Sequence, residues 1–229
     1  MILGIVQARM SSTRLPGKVM KPILGMPMIG RQLERLARCE SLDRLVVATS
    51  RDASDDALAA YVESRGVRVF RGALDDVLGR FAGAAAANGP ADHVVRLTAD
   101  CPLADPGVVD ACVWRHVETG ADYTSNTIDR TYPDGLDVEA MTAAALRTMA
   151  REARDPYERE HVTPYLYRRP ERFHIAQLTQ AAQLADRRWT VDTPEDFEFV
   201  SRVFYMLYPC RPCFEQADVL GLSIERLAA

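Results

Sequence analysis

The chain has 229 residues, of which 48% are hydrophobic and 26% charged, so it can bury a full core within one domain. Its formal net charge of −4 argues against a nucleic-acid partner, because such proteins usually carry a basic face. The apolar run from Ile2 to Val6 is too short for a signal peptide, and no stretch of about eighteen apolar residues could span a membrane. We therefore expect a cytoplasmic protein with no membrane partner.

The five cysteines are odd in number and scattered, so they do not form a disulfide framework. Cys210 and Cys213 have the spacing of a redox or zinc motif. A structural zinc needs four ligands, however, and no second pair of cysteines or nearby histidines supplies them. We expect reduced thiols without a metal or redox role.

Short runs of β-branched residues alternate with helical patterns through the first half of the chain. The predicted strands are Ile2 to Gln7, Arg44 to Ala48, Val67 to Phe70 and His93 to Leu97. Helices are predicted after Pro27, over Ser54 to Arg65, through Ala84 to Ala87, and from Asp105 to near Gly120. This alternation predicts βαβ units, and therefore an α/β fold with a mainly parallel, twisted sheet flanked by helices.

The second half of the chain is less regular, but no linker separates it from the first. Its predicted strands are Leu136 to Met141, Phe173 to Leu178 and Trp189 to Val191, and its predicted helices are Thr142 to Glu152 and Pro156 to Tyr167. Thr193 and Pro194 are residue types of an N-cap and a first helical position, so a final helix is expected to begin there. One domain is predicted.

A basic loop, Gln7 to Lys18, directly follows the first predicted strand. It contains Arg9, Arg14 and Lys18 together with three hydroxyl side chains and a Pro-Gly turn. Ligands of open parallel sheets bind beyond the carboxyl ends of the strands, so this loop lies at the expected ligand site. Arginine forks, a lysine charge and backbone amides can hold a triphosphate. The loop matches neither a Walker A nor a GxGxxG motif, and a solvated basic turn is the alternative interpretation.

Two aspartates follow predicted strands at the same edge of the sheet. Asp100 comes after the fourth strand, and Asp192 comes after the predicted strand Trp189 to Val191. Magnesium prefers oxygen ligands and commonly takes one or two carboxylates together with substrate phosphates. The sequence therefore predicts a Mg²⁺ site at Asp100 and Asp192, facing the basic loop. Local roles in a turn and at a helix start are the alternatives.

The segments QARMSSTRLPGKV, LTADCPL and WTVDTPEDFEFV, in this order, resemble the cytidylyltransferases that make CMP-Kdo and CMP-sialic acids. The chain is most similar to the branch of spore-coat polysaccharide biosynthesis cytidylyltransferases, up to about Tyr205. The resemblance implies a single Rossmann-like nucleotidyltransferase domain that acts as a homodimer. It further implies transfer of CMP from CTP to a sugar-like acceptor, such as a keto-acid sugar, with release of pyrophosphate, in the biosynthesis of surface polysaccharide or glycan.

The resemblance also implies roles for individual residues. Arg9, Arg14 and Lys18 would be the catalytic cations that contact the CTP phosphates, and Asp100 and Asp192 would hold Mg²⁺. The remaining nucleotide-binding residues would be Gln7, Ala8, Ser12, Asp76 and Arg80, the last two bordering the cytosine and ribose.

Two polar clusters in the second half are not used by the nucleotide, and we predict that they form a wall facing the acceptor. Its residues are Tyr132, Asp137, Glu139, Glu160 and His161; surface turns and a capped helix are the alternative interpretation. The chain is thus predicted to have a nucleotide-binding half (1–125), an acceptor and dimer half (126–190), and a segment with the second metal aspartate and C-terminal helices (191–229). The identity of the acceptor is left open.

Two other functions fit the same residues. One is uridylyl or glycosyl transfer on the same fold, since a fold does not fix a function. The other is nucleotide binding without catalysis, against which the joint presence of Lys18, Asp100 and Asp192 argues.

Overall fold

The computed structural model describes residues 1–222, so the last seven residues of the predicted C-terminal segment lie outside the described part. The strands are β1 (Ile2–Gln7), β2 (Pro22–Ile23), β3 (Met26–Pro27), β4 (Arg44–Ser50), β5 (Arg68–Gly72), β6 (His93–Thr98), β7 (Tyr123–Ser125), β8 (Glu139–Thr142) and β9 (Ile175–Gln177). The α-helices are α1 (Met28–Leu36), α2 (Asp56–Ser64), α3 (Val77–Asn88), α4 (Pro106–Thr119), α5 (Ala143–Glu152), α6 (Pro156–His161), α7 (Pro164–Tyr167), α8 (Pro194–Leu207) and α9 (Gln216–Leu220). None of these helices has the length and apolarity needed to cross a membrane.

The main sheet has seven strands in the order β5-β4-β1-β6-β8-β7-β9. The first four are parallel to one another, β8 runs antiparallel to both of its neighbours, and β9 is parallel to β7. Strands β2 and β3 form a separate small hairpin. The predicted α/β fold with a mainly parallel sheet is therefore confirmed.

Alternate residues of the central strands enter two cores, one on each face of the sheet. Leu3 and Ile5 of β1 are fully buried in the core that contains residues of α3 and α5. Val6 is fully buried in the other core, with residues of α1, α4 and α8. Burial on both faces explains why the parallel strands appear in the sequence as nearly continuous apolar runs.

Helix boundaries follow the capping signals in the sequence. Asp105 caps α4 by accepting a hydrogen bond from the backbone N–H of Gly107 at 2.9 Å, and the helix ends at Gly120, where φ is 60°. At the start of α8, Thr193 and Asp196 form a reciprocal capping box with Pro194 in the first turn. These two predicted helix starts are confirmed, since each satisfies amide groups that a helix leaves without partners.

The helix predicted from Pro156 to Tyr167 is interrupted. It divides into α6 and α7 at Val162, which has φ 71° and ψ −68°. The N–H of Thr163 donates to the carbonyl of His161 at 2.9 Å, which closes a three-residue turn. Pro164 has no N–H with which to continue the hydrogen-bond pattern of α6, so the new helix begins there.

The strand predicted from Trp189 to Val191 is wrong. Only Arg188 forms an isolated bridge, with Asp134, and the segment continues in an irregular conformation. Its amides are paired nevertheless: Trp189 N donates to Asp134 O at 2.6 Å, and Val191 N donates to Asp100 O at 2.7 Å. The segment is thus fixed by backbone hydrogen bonds to Asp134 and Asp100 instead of by pairing with a neighbouring strand.

Gly135 allows the segment to approach this closely. Its φ is 116°, and a Cβ atom there would lie 2.5 Å from the backbone nitrogen of Thr190. A side chain would therefore have to displace the main chain that leads to Asp192. Glycine is required here for two reasons: the φ angle is positive, and any side chain would clash with the main chain.

We expect Gly135→Ala to lower the free energy of unfolding by roughly 3 kcal/mol, because backbone strain and a clash with main-chain atoms add together. Gly25→Ala is the matched control, since Gly25 has φ 76° but a Cβ atom added there would have no atom within 4 Å. That control should lose only about 1 kcal/mol from strain. Urea unfolding of both variants measures the difference, and equal losses would contradict the steric argument.

Candidate active site

A cleft of about 320 Å³ opens at the carboxyl edge of β1 and β6. These strands are neighbours in the sheet, with Gln7 paired to Thr98, so the basic loop and the turn containing Asp100 leave the sheet side by side. The predicted site residues that line the cleft are Gln7, Ala8, Arg9, Ser12, Arg14, Lys18, Asp100, Glu160, His161 and Asp192.

The basic loop is held to the sheet by Asp55, a fully buried carboxylate. It accepts hydrogen bonds from Met10 N at 2.7 Å, from Ser50 Oγ at 2.5 Å and from Thr49 Oγ1 at 2.8 Å. Burial by itself would raise the pKa of Asp55, but these donors bring that pKa below its ordinary value. Asp55 was not predicted, because its bond to Met10 joins two segments that are far apart in sequence.

Lys18 is the point of contact between the loop and both predicted metal ligands. Its Nζ atom lies 2.6 Å from the carbonyl oxygen of Val191, 3.0 Å from Asp192 Oδ1 and 3.7 Å from Asp100 Oδ2. The two carboxylates, far apart in sequence, are thus brought to a single ammonium group.

Asp192 also contacts two arginines through its other oxygen. Arg14 Nη2 lies 2.9 Å and Arg188 Nη2 lies 2.8 Å from Asp192 Oδ2. Burial alone would raise the pKa of Asp192, but the hydrogen bond and charge of Lys18, with Arg188 and Arg14, lower that pKa below its ordinary value. Arg188, which was not predicted as a site residue, is itself anchored by Asp134 and Asp196.

The donor set of this acidic pair fits a hard divalent cation, which prefers oxygen ligands. In residues 1–222, no group of three or more His, Cys, Asp or Glu side chains is arranged to hold a metal. An ion at Asp100 and Asp192 would therefore complete its coordination with substrate oxygens and water. Cys210 and Cys213 are exposed free thiols.

Arg96 of β6 also lines the cleft and was not predicted. Its guanidinium pairs with Glu139 of the adjacent strand β8, and its Nη2 lies 3.4 Å from Gln7 Oε1. The sequence did contain a signal for this residue. Arg96 is a charged residue within the apolar run of β6, and it lies two positions before Thr98, so both side chains are on the same face of the strand.

Two of the five predicted acceptor residues, Glu160 and His161, are exposed at the cleft. The structure does not place the other three in the cleft lining. Tyr132 is packed in the core, and Asp137 pairs with Arg130 at 2.5 Å. Glu139 is 6% exposed, and accepts hydrogen bonds from Tyr123 Oη at 2.6 Å and from Thr163 Oγ1 at 2.5 Å. Burial leaves Tyr132 and Glu139 little surface for direct contact with an acceptor.

The predicted base and ribose contacts, Asp76 and Arg80, do not line the cleft. Asp76 caps α3 by accepting from Gly79 N at 2.9 Å and pairs with Arg159 at 2.5 Å. Arg80 is 1% exposed and donates to the carbonyl of Ala73 at 2.6 Å. Between them, Val77 lines the cleft at the first position of α3. Asp76 and Arg80 therefore support the start of this helix, and their contact with a nucleotide stays a prediction.

The sequence and the fold are similar to those of known proteins. The chain matches the family model named cytidylyltransferase over residues 3–223. It is 35% identical over 228 residues to the spore coat polysaccharide biosynthesis protein SpsF of Bacillus subtilis, covering 96% of this chain and 93% of that protein.

Solved structures of similar fold include the following two. A cytidylyltransferase from Leptospira borgpetersenii has a TM-score of 0.90 at 33% identity, covering 96% of this chain and 92% of the other. CMP:2-keto-3-deoxy-manno-octonic acid synthetase complexed with CTP has a TM-score of 0.67 at 17% identity, covering 89% and 98%. The family match and the geometry of the cleft agree: the chain belongs to the cytidylyltransferase family and is a CTP-dependent nucleotidyltransferase.

Proposed function

We propose that this cytidylyltransferase transfers CMP from CTP to a hydroxyl group of a sugar-like acceptor, with release of pyrophosphate, in the biosynthesis of a surface polysaccharide or glycan. The observation that carries the proposal is the meeting of Lys18, Asp100 and Asp192 in one cleft beside the basic loop. The sugar acceptor is supported by relatives whose names refer to spore coat polysaccharide biosynthesis and to 3-deoxy-manno-octulosonate.

In the proposed complex the triphosphate lies along the basic loop. Arg9, Arg14 and Lys18 all line the cleft, and Arg9 forms no ion pair within the described residues. The Arg14 side chain is 62% exposed, and within residues 1–222 its one ion pair is with Asp192, so it can turn toward a phosphate. These cations stabilise the charge that develops on the transferred phosphoryl group, which is the main task of the protein in such reactions.

Enzymes of this family usually depend on a divalent metal, and we assign Asp100 and Asp192 as its ligands and Mg²⁺ as the ion. When bound, the ion would neutralise phosphate charge and favour deprotonation of the attacking hydroxyl. The chain itself orients the two carboxylates through Lys18 and through the hydrogen bond from Val191 N to Asp100 O. No side chain of the cleft needs to act as the general base.

The acceptor is assigned to the side of the cleft formed by α6 and β6. Glu160 and His161 lie at the end of α6, and Arg96 contributes from β6. Together they present an acid, an imidazole and a guanidinium to a polyhydroxylated ligand, which can pair with several hydrogen-bonding groups at once. This arrangement supports a sugar more than an apolar acceptor.

A homodimer in the cytoplasm is the proposed working form. On α4, which lies in the predicted nucleotide-binding half and not in the predicted dimer half, Trp114 is 56% exposed and Val117 is 52% exposed, one helical turn apart. Aromatic residues are enriched at protein interfaces, so this pair is a candidate contact between two copies. Sedimentation equilibrium tests the proposal, and a monomer at micromolar concentration would contradict it.

With Mg²⁺ present, CTP should raise the melting temperature more than UTP, ATP or GTP, because a ligand that binds only the native state stabilises it according to its saturation. Differential scanning fluorimetry compares the four nucleotides at equal concentration. Pyrophosphate release with CTP across a panel of keto-acid sugars, other sugars and sugar phosphates then identifies the acceptor. Equal shifts for all four nucleotides would argue against the assigned base preference.

Lys18→Met should reduce turnover by roughly 10²- to 10³-fold, because it removes a charge placed at the reacting phosphates. Lys21→Met is the matched control: Lys21 is three residues further along and does not line the cleft. The control should keep wild-type turnover, and circular dichroism should show both variants folded. Normal turnover by Lys18→Met would return the basic loop to the interpretation of a solvated turn.

Asp100→Asn and Asp192→Asn should each abolish most activity, and the double variant should be little worse than the worse single variant, because both residues are assigned to the same site. Each single variant should also need more Mg²⁺ for half-maximal turnover. Asp186→Asn, an exposed site outside the cleft, should behave as wild type. Additive losses, or full wild-type activity in chelator, would exclude the shared metal site.

A further inference from the structure

Asp100 lies in a tight turn in which the carbonyl groups of Thr98, Asp100 and Cys101 accept hydrogen bonds. The N–H of Cys101 donates to the carbonyl of Thr98 at 3.1 Å, which closes the turn. The carbonyl of Asp100 accepts from Val191 N at 2.7 Å and from Thr190 Oγ1 at 3.3 Å. One side of the turn is thus fixed by the segment that precedes Asp192.

The other side of the turn is fixed by Gln32, a fully buried residue of α1. Its Nε2 atom donates to the carbonyl of Thr98 at 2.8 Å and to the carbonyl of Cys101 at 3.0 Å. Carbonyl oxygens can only accept hydrogen bonds, so the amide NH₂ of Gln32 must be the group that faces them. One side chain therefore bridges two carbonyl groups of the turn, one two residues before Asp100 and one directly after it.

Burial of the Gln32 amide destabilises the fold, and packing alone would not require an amide at this position. Gln32 Oε1 is buried with no hydrogen-bond partner among the described residues. An unsatisfied buried polar atom is destabilising, and an apolar side chain of similar size would avoid that penalty. The neighbouring positions of α1 that enter the same core, Ile29 and Leu33, are apolar. What distinguishes position 32 is its pair of bonds to the turn.

We infer that Gln32 is a positioning residue for the metal-binding carboxylate of Asp100, acting through the main chain of the turn. The inference rests on the proposed assignment of Asp100 as a metal ligand. A ligand group must be held close to its productive geometry, and loss of the groups that orient metal ligands typically weakens metal binding about 10- to 100-fold. Gln32 meets this requirement without touching metal or substrate.

The test is the metal requirement of Gln32→Met, which keeps the approximate size of the side chain and removes both donors. CTP binding is measured by calorimetry over a Mg²⁺ titration, so no acceptor is needed. The Mg²⁺ concentration for half-maximal CTP binding should rise about 10-fold, and CTP affinity should return close to the wild-type value at saturating Mg²⁺.

Arg35→Met is the matched control from the same face of α1. Arg35 donates to the carbonyls of Ala104 at 2.8 Å and Leu103 at 3.4 Å, beyond the turn that holds Asp100. This variant should lose stability in urea unfolding while its Mg²⁺ requirement stays at the wild-type value. If Gln32 had only a structural role, Gln32→Met would likewise lose stability while keeping the wild-type Mg²⁺ requirement.

Comparison of Gln32→Met with Asp100→Asn tests the positioning role of Gln32 separately from the assignment of Asp100 as a metal ligand. A wild-type Mg²⁺ requirement in Gln32→Met, with a raised requirement in Asp100→Asn, would overturn the positioning role alone. A wild-type requirement in Asp100→Asn would overturn the metal assignment itself. If Gln32→Met does not fold, Gln32→Asn retains the amide but is too short to bridge both carbonyls. It should raise the requirement in the same direction, and a folded Gln32→Asn with the wild-type value would overturn the inference.

Discussion

The ammonium group of Lys18 joins three parts of the chain that are far apart in sequence. It contacts the carbonyl of Val191 and the carboxylates of Asp192 and Asp100, and its side chain is only 10% exposed. Two carboxylates placed together repel each other and resist ionisation unless a cation lies between them. The acidic pair can therefore exist in the folded chain because the basic loop accompanies it.

The same balance would couple the proposed nucleotide site to the proposed metal site of this cleft. Lys18 and Arg14 serve as partners of Asp192, yet they are also the groups that the proposed triphosphate would use. Phosphates bound to Lys18 and Arg14 would draw these cations away from Asp192. A divalent ion at the carboxylates would then take the place of the lost positive charge. In the proposed complex, binding of one ligand would thus lower the electrostatic cost of binding the other, which is a coupling free energy between two neighbouring sites.

Local signals were sufficient to predict the parts of the fold that local chemistry determines. Strand β1 and the caps of α4 and α8 lie where β-branched runs, Asp105 and Thr193 indicated. The convergence of the basic loop with Asp100 also followed from the sequence, because β1 and β6 are parallel strands whose carboxyl ends share one edge.

Long-range pairing was not accessible from the sequence in the same way. Asp192 was expected to arrive at the end of a strand, but the preceding segment is fixed by Asp134 and by the carbonyl of Asp100. The contact of Arg96 with Glu139 depends on β8 lying antiparallel beside β6, which no local pattern indicates. Such a buried pair can be recognised only when the neighbouring strand is known.

Glu139 supports, from within the protein, the side of the cleft to which the acceptor is proposed to bind. Its carboxylate holds Arg96 on one side and Thr163 on the other, directly after the turn at Val162. A β-branched residue at positive φ costs of order 1–3 kcal/mol and persists only where its surroundings determine the conformation. Here Val162 is fully buried, Thr163 is bonded to Glu139, and Pro164 starts a new helix. One buried carboxylate therefore fixes both the guanidinium in the cleft and the corner that presents His161. Glu139 shapes the surface an acceptor would meet from behind that surface.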